Sequence, residues 1–205
     1  MNAPMTRGYA LPVFPYRTPP ELARGARPGH YPVVIVGGGL AGLTAACDLA
    51  SRGVAALLLD EDDTIGVRGA SSRGICYAQK SLEIFARLGI QDRIREKGVT
   101  WSVGRTLIDD EEIYSFDLAG STLSLQPPFI NIQQFYVEWF LVDRIAALGL
   151  TDLRWKNRVE AVHQDDGRAA SVDPTFMPPA EFTSLVSRDF DTWGKVVRDN
   201  KITAN

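Results

Sequence analysis

The stretch VVIVGGGLAGLTAACDLASRG, Val33–Gly53, decides how the rest of the chain is read. Pro32 precedes an apolar run, Val33 to Val36, which does not alternate with polar residues. That is the pattern of a parallel strand buried on both faces. Three glycines follow, and Leu40 to Arg52 is then built from helix formers, with Leu43, Cys47 and Ala50 on one stripe. Gly53 ends this helix. A second apolar run, Val54 to Leu59, closes on Asp60. Together these segments make a β-α-β unit of about 30 residues.

Gly37-Gly38-Gly39-Leu40-Ala41-Gly42 satisfies G-x-G-x-x-G. Alone the pattern is weak, and a glycine-rich turn without a ligand would also satisfy it. Here it follows a strand, opens a helix and precedes an acid at a strand end by about 20 residues, and each part has a physical task. Gly37 allows the tight turn, Gly39 lets the backbone approach a pyrophosphate, and Gly42 permits close helix–strand packing. Leu40 and Ala41 open the helix, whose N-terminus offers N–H groups and a positive dipole end to phosphates. Asp60 can accept hydrogen bonds from a ribose diol, and its charge argues against a 2′-phosphorylated ribose. The motif specifies a dinucleotide, and by itself leaves FAD and NAD open.

Outward from this unit, EDDTIGVRGASSRG is a polar, glycine-rich loop, followed by a predicted helix over Gln79–Leu88 with Leu82, Phe85 and Ala86 on one face. IYSFDL places Tyr114, Phe116 and Leu118 on one side, the alternation of a half-buried antiparallel strand within Thr100–Leu118. Asn131 to Leu148 reads as a helix, and LRWKNRVEAV, Leu153 to Val162, as one strand. The grammar breaks at HQDDGRAASVDP, where QDDG looks like a hairpin turn. Beyond it, Glu181 to Val197 forms an amphipathic helix with Phe182, Leu185, Val186, Phe190 and Trp193 at spacings of three and four, and Pro179 suits its first position. Residues 1–30, rich in Pro and Arg, read as an irregular leader without a signal core.

Composition narrows the possibilities further. The 205 residues are 45% hydrophobic and 23% charged, enough to bury a core, and a net charge of −3 without charge blocks favours neither nucleic acid nor an anionic membrane. No apolar run approaches the roughly 20 residues that span a bilayer, so a cytoplasmic protein is expected. Cys47 and Cys76 fit no metal spacing and are read as packed, reduced thiols, while His30 and His163 are too isolated for a metal site or a catalytic triad.

Four segments resemble a known family: YPVVIVGGGLAGLTAACDLASRGV, SSRGICYAQKSLEIFARLGI, YSFDL and INIQQFYVEWFLVDRIAALGLTDLRWKNRVEAV. Matching in order over roughly Tyr31 to His163, they are similar to the FAD-dependent aromatic-ring monooxygenases, such as the 3-(3-hydroxyphenyl)propionate hydroxylases. The resemblance implies FAD in the glycine loop, held by Gly37, Gly39, Leu40, Ala41 and Gly42, and NAD(P)H as a transient reductant. The ribose acid falls on Asp60, beside Glu61, where the family more often has glutamate. A loop arginine that can pair with the pyrophosphate falls on Arg73. The family's flavin-facing glutamine, in Q-x-x-[hydrophobic]-E-x-x-L, falls on Gln134, with Val137, Glu138 and Leu141 in register; adjacent Gln133 is the alternative. Leu40 stands where the family usually has proline. The substrate implied is a phenolic or other aromatic small molecule.

The family's later D-G and G-D flavin motifs and its substrate domain have no counterpart in this sequence. The expectation is therefore an α/β, Rossmann-like FAD-binding βαβ domain at 31–167 with a few antiparallel strands, truncated, and followed at 168–205 by a linker and an orphan amphipathic helix. That tail, VDPTFMPPAEFTSLVSRDFDTWGKVVRDNKITAN, resembles the C-terminal end of tripartite tricarboxylate transporter substrate-binding proteins, which suggests a fusion. An FAD-dependent monooxygenase, incomplete as it stands and with its activity open, a non-catalytic dinucleotide-binding module and a nonfunctional fusion product are the three readings this leaves. Apolar surface at the missing interface predicts self-association.

Overall fold

The computed structural model describes residues 10–27, 29–66, 74–118, 124–165 and 168–175. Its first layer is a parallel sheet. β1 (Val34–Val36) pairs with β2 (Ala56–Leu59), Val34 opposite Leu57 and Val36 opposite Leu59. α1 (Leu40–Ser51) crosses between them, and Leu43, Ala46, Cys47 and Ala50 bury the stripe expected of it. Its small residues let the helix lie close to its neighbours. All four residues of β2 are buried, as the unbroken apolar run requires.

After β3 (Cys76–Ala78), α2 occupies Gln79–Leu88 as its pattern specifies, burying Leu82, Phe85 and Leu88; Ala86 is only partly buried. α3 (Gln91–Lys97) follows, a short polar helix that buries Ile94. β4 (Val99–Trp101), β5 (Val103–Ile108), β6 (Glu111–Asp117) and β7 (Phe129–Asn131) come next. β7 lies between β3 and β4, with Ile130 opposite both Tyr77 and Thr100. α4 (Gln134–Leu148) then packs against α1, and β8 (Thr151–Arg154) joins the first sheet beside β2 in parallel. The core runs continuously from Leu43 and Leu58 through Leu82 and Ile94 to Val137, Leu141 and Ile145.

Four expectations require correction. β5 and β6 do pair antiparallel, but the alternation of Tyr114, Phe116 and Leu118 is not half-buried: every residue of β6 is exposed, so this hairpin projects from the core. The helix assigned from Asn131 begins at Gln134, because residues 129–131 supply the central strand β7. The strand assigned to Leu153–Val162 is two strands, β8 and β9 (Arg158–Asp165), separated by a turn in which Lys156 takes φ 60°. Cys76 is exposed on β3 rather than packed, whereas Cys47 is buried. β10 (Arg168–Thr175) pairs antiparallel with β9, Arg168 opposite Asp165 and Thr175 opposite Arg158. The helix expected at 181–197 lies outside the described residues.

Residues 10–27 form little regular structure, a three-residue 3-10 helix (Pro20–Leu22) and one bridge from Val13 to Thr64. They are nonetheless anchored. Phe14 stacks on Trp155 at 4.6 Å between centroids, and Glu21 Oε1 accepts from Arg154 Nη2 at 3.0 Å. Burial disfavours the Arg154 charge, but the carboxylates of Asp152 and Glu21 more than offset it and raise its pKa; Arg154 in turn lowers that of Glu21. No helix among the described residues is long and apolar enough to cross a membrane.

Candidate dinucleotide site

The parallel strands β1, β2 and β8 end on one edge, and the glycine loop lies across it. Gly37 has φ 104°, which side-chain-bearing residues rarely adopt, and its N–H donates to Leu59 O at 2.8 Å. The turn is thus tied to the end of β2. Gly42 lies so close beneath it that a Cβ there would sit 1.9 Å from Gly37 O. Gly39 is the N-cap of α1 without a side-chain capping bond, and nothing lies within 4 Å of where its Cβ would be. The first intrahelical bond runs from Leu43 N to Gly39 O at 2.9 Å. The preceding N–H groups, from Leu40, Ala41 and Gly42, therefore have no intrahelical acceptor. An open position at Gly39 beside helix-terminal donors fits a pyrophosphate.

Asp60 turns back into this loop. Its Oδ2 accepts from Gly38 N–H, and its Oδ1 accepts from Asp62 N–H at 2.9 Å. Its own backbone is pinned by Asp60 N to Arg154 O at 3.0 Å and by Asn157 N to Asp60 O at 2.8 Å. The carboxylate is thereby fixed between the glycine loop and the strand end, and each oxygen keeps accepting capacity for a ribose diol. Glu61 stands beside it and faces Arg158, 3.9 Å away across the strand ends.

Gln134 is the first residue of α4, and Gln133 precedes it. Gln133 is the helix N-cap without a side-chain capping bond. Gln134 Oε1 accepts from Gly74 N–H at 3.1 Å, and its Nε2 donates to Glu138 Oε1 at 2.7 Å. Arg73 lies outside the described residues. The structure thus brings Gly37, Gly39, Leu40, Ala41, Gly42 and Asp60 together, and places Glu61 at the same edge. Gln134 is bonded instead to Gly74 and Glu138.

Glu138 is the residue that sequence reasoning passed over, treating it only as a spacing marker. It is 3% exposed. Its Oε2 accepts from Gly66 N–H at 3.0 Å. Burial raises its pKa, more than the hydrogen bonds from Gln134 and Gly66 lower it, and nearby Asp60 adds to the rise. Burial, and then the charge of Glu138, push the Tyr77 hydroxyl up to about 12. The overlooked signal was one carboxylate on a helix face otherwise made of Phe135, Val137, Leu141 and Ile145, where an acid is rarely buried without purpose. A separate cavity of 710 Å³ is lined by Phe14, Thr18, Ile145, Arg154 and Trp155 and by none of the glycine-loop residues.

Residues 30–175 match the family described as FAD binding domain. The 3-hydroxybenzoate 6-hydroxylase of Polaromonas naphthalenivorans is 27% identical over 157 residues, 71% of this chain and 36% of that protein. The crystal structure of p-nitrophenol 4-monooxygenase PnpA from Pseudomonas putida superimposes with a TM-score of 0.59 at 30% identity, covering 65% of this chain and 34% of that one. The flavin-dependent monooxygenase PieE, solved with FAD and substrate, shares the fold at a TM-score of 0.58 and 24% identity, over 71% of this chain and 29% of its own. The chain spans about a third of the length of the curated relatives it matches. On this match, and on a glycine cradle closed by Asp60, the chain belongs to the FAD binding domain family.

Proposed function

We propose that this chain holds FAD for an NAD(P)H-dependent monooxygenation of a phenolic or other aromatic small molecule. The observation that carries the reading is the cradle itself: an uncapped α1 N-terminus, open space at Gly39, and Asp60 fixed beside it. The N–H groups of Ala41 and Gly42 bind the pyrophosphate, and Asp60 orients the adenosine ribose. Gln134 and Glu138 hold Gly74 and Gly66, and Arg73 pairs with the pyrophosphate. Bound FAD supplies the redox chemistry, and the protein supplies position and exclusion of water. None of the side chains described here is assigned as an acid or base of the oxygenation. The exposed β5–β6 hairpin mediates self-association.

The experiment is a titration of the purified chain with FAD, followed by NAD(P)H oxidation in the presence of simple phenols. Saturable binding with phenol-dependent oxidation and a hydroxylated product supports the full reading. Binding without oxidation reduces it to a dinucleotide-holding module. No binding refutes it.

A further inference from the structure

Residues 10–27 precede the stretch matched to the family, which begins at residue 30, yet they touch both segments that hold Asp60. The first segment is the turn after Asp60. Phe14 N–H donates to Asp63 O at 2.6 Å, and Val13 forms an antiparallel bridge with Thr64. The second is the turn between β8 and β9. There the Phe14 ring stacks on buried Trp155, centroids 4.6 Å apart and planes 8° from parallel, and Glu21 Oε1 accepts from Arg154 Nη2 at 3.0 Å. This second turn carries both backbone partners of Asp60, Arg154 O at 3.0 Å and Asn157 N at 2.8 Å. The two turns are also tied to each other, by Lys156 N to Asp62 O at 2.9 Å and by Lys156 Nζ to Asp63 Oδ2 at 2.9 Å. Lys156 stands there at φ 60°, a conformation that a side-chain-bearing residue keeps only when its surroundings impose it. Phe14 is thus shared by the two turns, its backbone on one and its ring on the other.

We propose that the leader is a brace for the nucleotide site: Phe14 clamps the two turns around Asp60 and so sets the affinity of the chain for FAD. The proposal rests on the assignment of FAD to the glycine cradle. Phe14 acts through Asp63 and Trp155 and is a positioning residue. Asp60 reaches Gly38 N–H with one oxygen and Asp62 N–H with the other, so movement of the turn carries the carboxylate away from the glycine loop. Hydrogen bonds to a ribose diol weaken steeply with such a displacement. The donors of α1 are tied separately, through Gly37 N to Leu59 O, and do not depend on the leader. Without the brace the turns open part of the time, and the apparent affinity falls by the fraction of molecules that remain closed.

The test compares the full chain with Phe14→Ala by fluorescence titration with FAD and by amide hydrogen exchange. The variant is expected to bind FAD about threefold to tenfold more weakly, the scale of one aromatic stacking contact. Exchange is expected to quicken at the amides of Asp60, Asp62 and Asn157 and to keep the wild-type rate along α2. In an Asp60→Ala background, Phe14→Ala is expected to weaken FAD binding by less than about twofold, because the group it positions is gone. Unchanged FAD affinity in Phe14→Ala overturns the proposal, as does a full loss in the Asp60→Ala background. Exchange that quickens evenly over the whole core marks a merely structural role and also overturns it. A wild-type chain that binds no FAD overturns the FAD assignment instead, and the exchange pattern then decides the brace by itself. Should Phe14→Ala fail to fold, Phe14→Leu, which keeps bulk and removes the stacking, is read by the same measurements.

Discussion

Gly42→Ala and Gly39→Ala separate the two tasks assigned to the glycine loop. At Gly42 a new Cβ would sit 1.9 Å from Gly37 O and 3.3 Å from Ile35 Cγ2. An ordinary contact between carbon and a carbonyl oxygen is about 3.3 Å, so α1 must retreat from the loop by about 1.4 Å. The obstacle is backbone and cannot rotate away. Overpacking of this kind costs about 1–3 kcal/mol, to be read as a lower urea midpoint at unchanged slope. The same retreat moves the helix N-terminus off the phosphate position, so FAD affinity falls with stability. At Gly39 nothing lies within 4 Å of the new Cβ, and the backbone, φ −75° and ψ −178°, is open to alanine. Its stability change should stay within about 1 kcal/mol of zero, because the stiffer unfolded chain and the poorer N-cap act in opposite directions. FAD binding should nevertheless fall at least about tenfold, or about 1.4 kcal/mol, because the methyl group enters the space reserved for the pyrophosphate. Urea unfolding and fluorescence titration with FAD read the two quantities on the same samples. A G39A protein that binds FAD as the wild type does, or a G42A protein as stable as the wild type, refutes the reasoning.

Other outcomes follow from the same geometry. Asp60→Ala deprives Gly38 N–H and Asp62 N–H of their acceptor and should cost about 1.5–3 kcal/mol of FAD binding by titration. A thiol reagent should titrate one cysteine in the folded chain, exposed Cys76; Cys47, fully buried and with its pKa raised by burial, should react only on unfolding. The Glu21–Arg154 clasp holds the Glu21 pKa below its ordinary 4.5, so its stabilisation is present at neutral pH and is lost as the pH falls through the folded value. Limited proteolysis should accordingly find the leader protected at pH 7 and cut at acidic pH. Leu107, Ile108, Ile113 and Tyr114 are each more than half exposed on the β5–β6 hairpin. Sedimentation at micromolar concentration should show self-association that Ile113→Lys with Tyr114→Ser weakens, whereas a clean wild-type monomer contradicts it.

The parts of the fold legible in sequence were those decided by local pattern. β1, α1 and β2 follow from two unbroken apolar runs around a small-residue helix, and α2 from a stripe that closes on Gly89. The errors fall where pairing between distant segments overrides local preference. Asn131 belongs to a strand because β7 fills the gap between β3 and β4, which the local apolar run of INIQQF does not reveal. The single strand over LRWKNRVEAV breaks at Lys156 because the turn there returns backbone hydrogen bonds from Lys156 and Asn157 to Asp62 and Asp60. α3 went unread because QDRIREK offers one buried side chain, too little for a periodicity. The site divides in the same way. Gly37, Gly39, Gly42 and Asp60 are legible because motif and spacing are contiguous. Glu138 acts on Gly66, 72 positions away. Only the three-dimensional arrangement shows an acid buried against Gly66.

The central claim is that the Val33–Gly53 cradle holds FAD in this chain. The most direct measurement is the visible absorption spectrum of the purified protein after incubation with FAD and gel filtration. The account predicts a flavin band that travels with the protein in near-equal molar amount and is lost in Gly39→Ala. A protein that elutes folded and colourless, and gives no signal on titration with FAD, would contradict it.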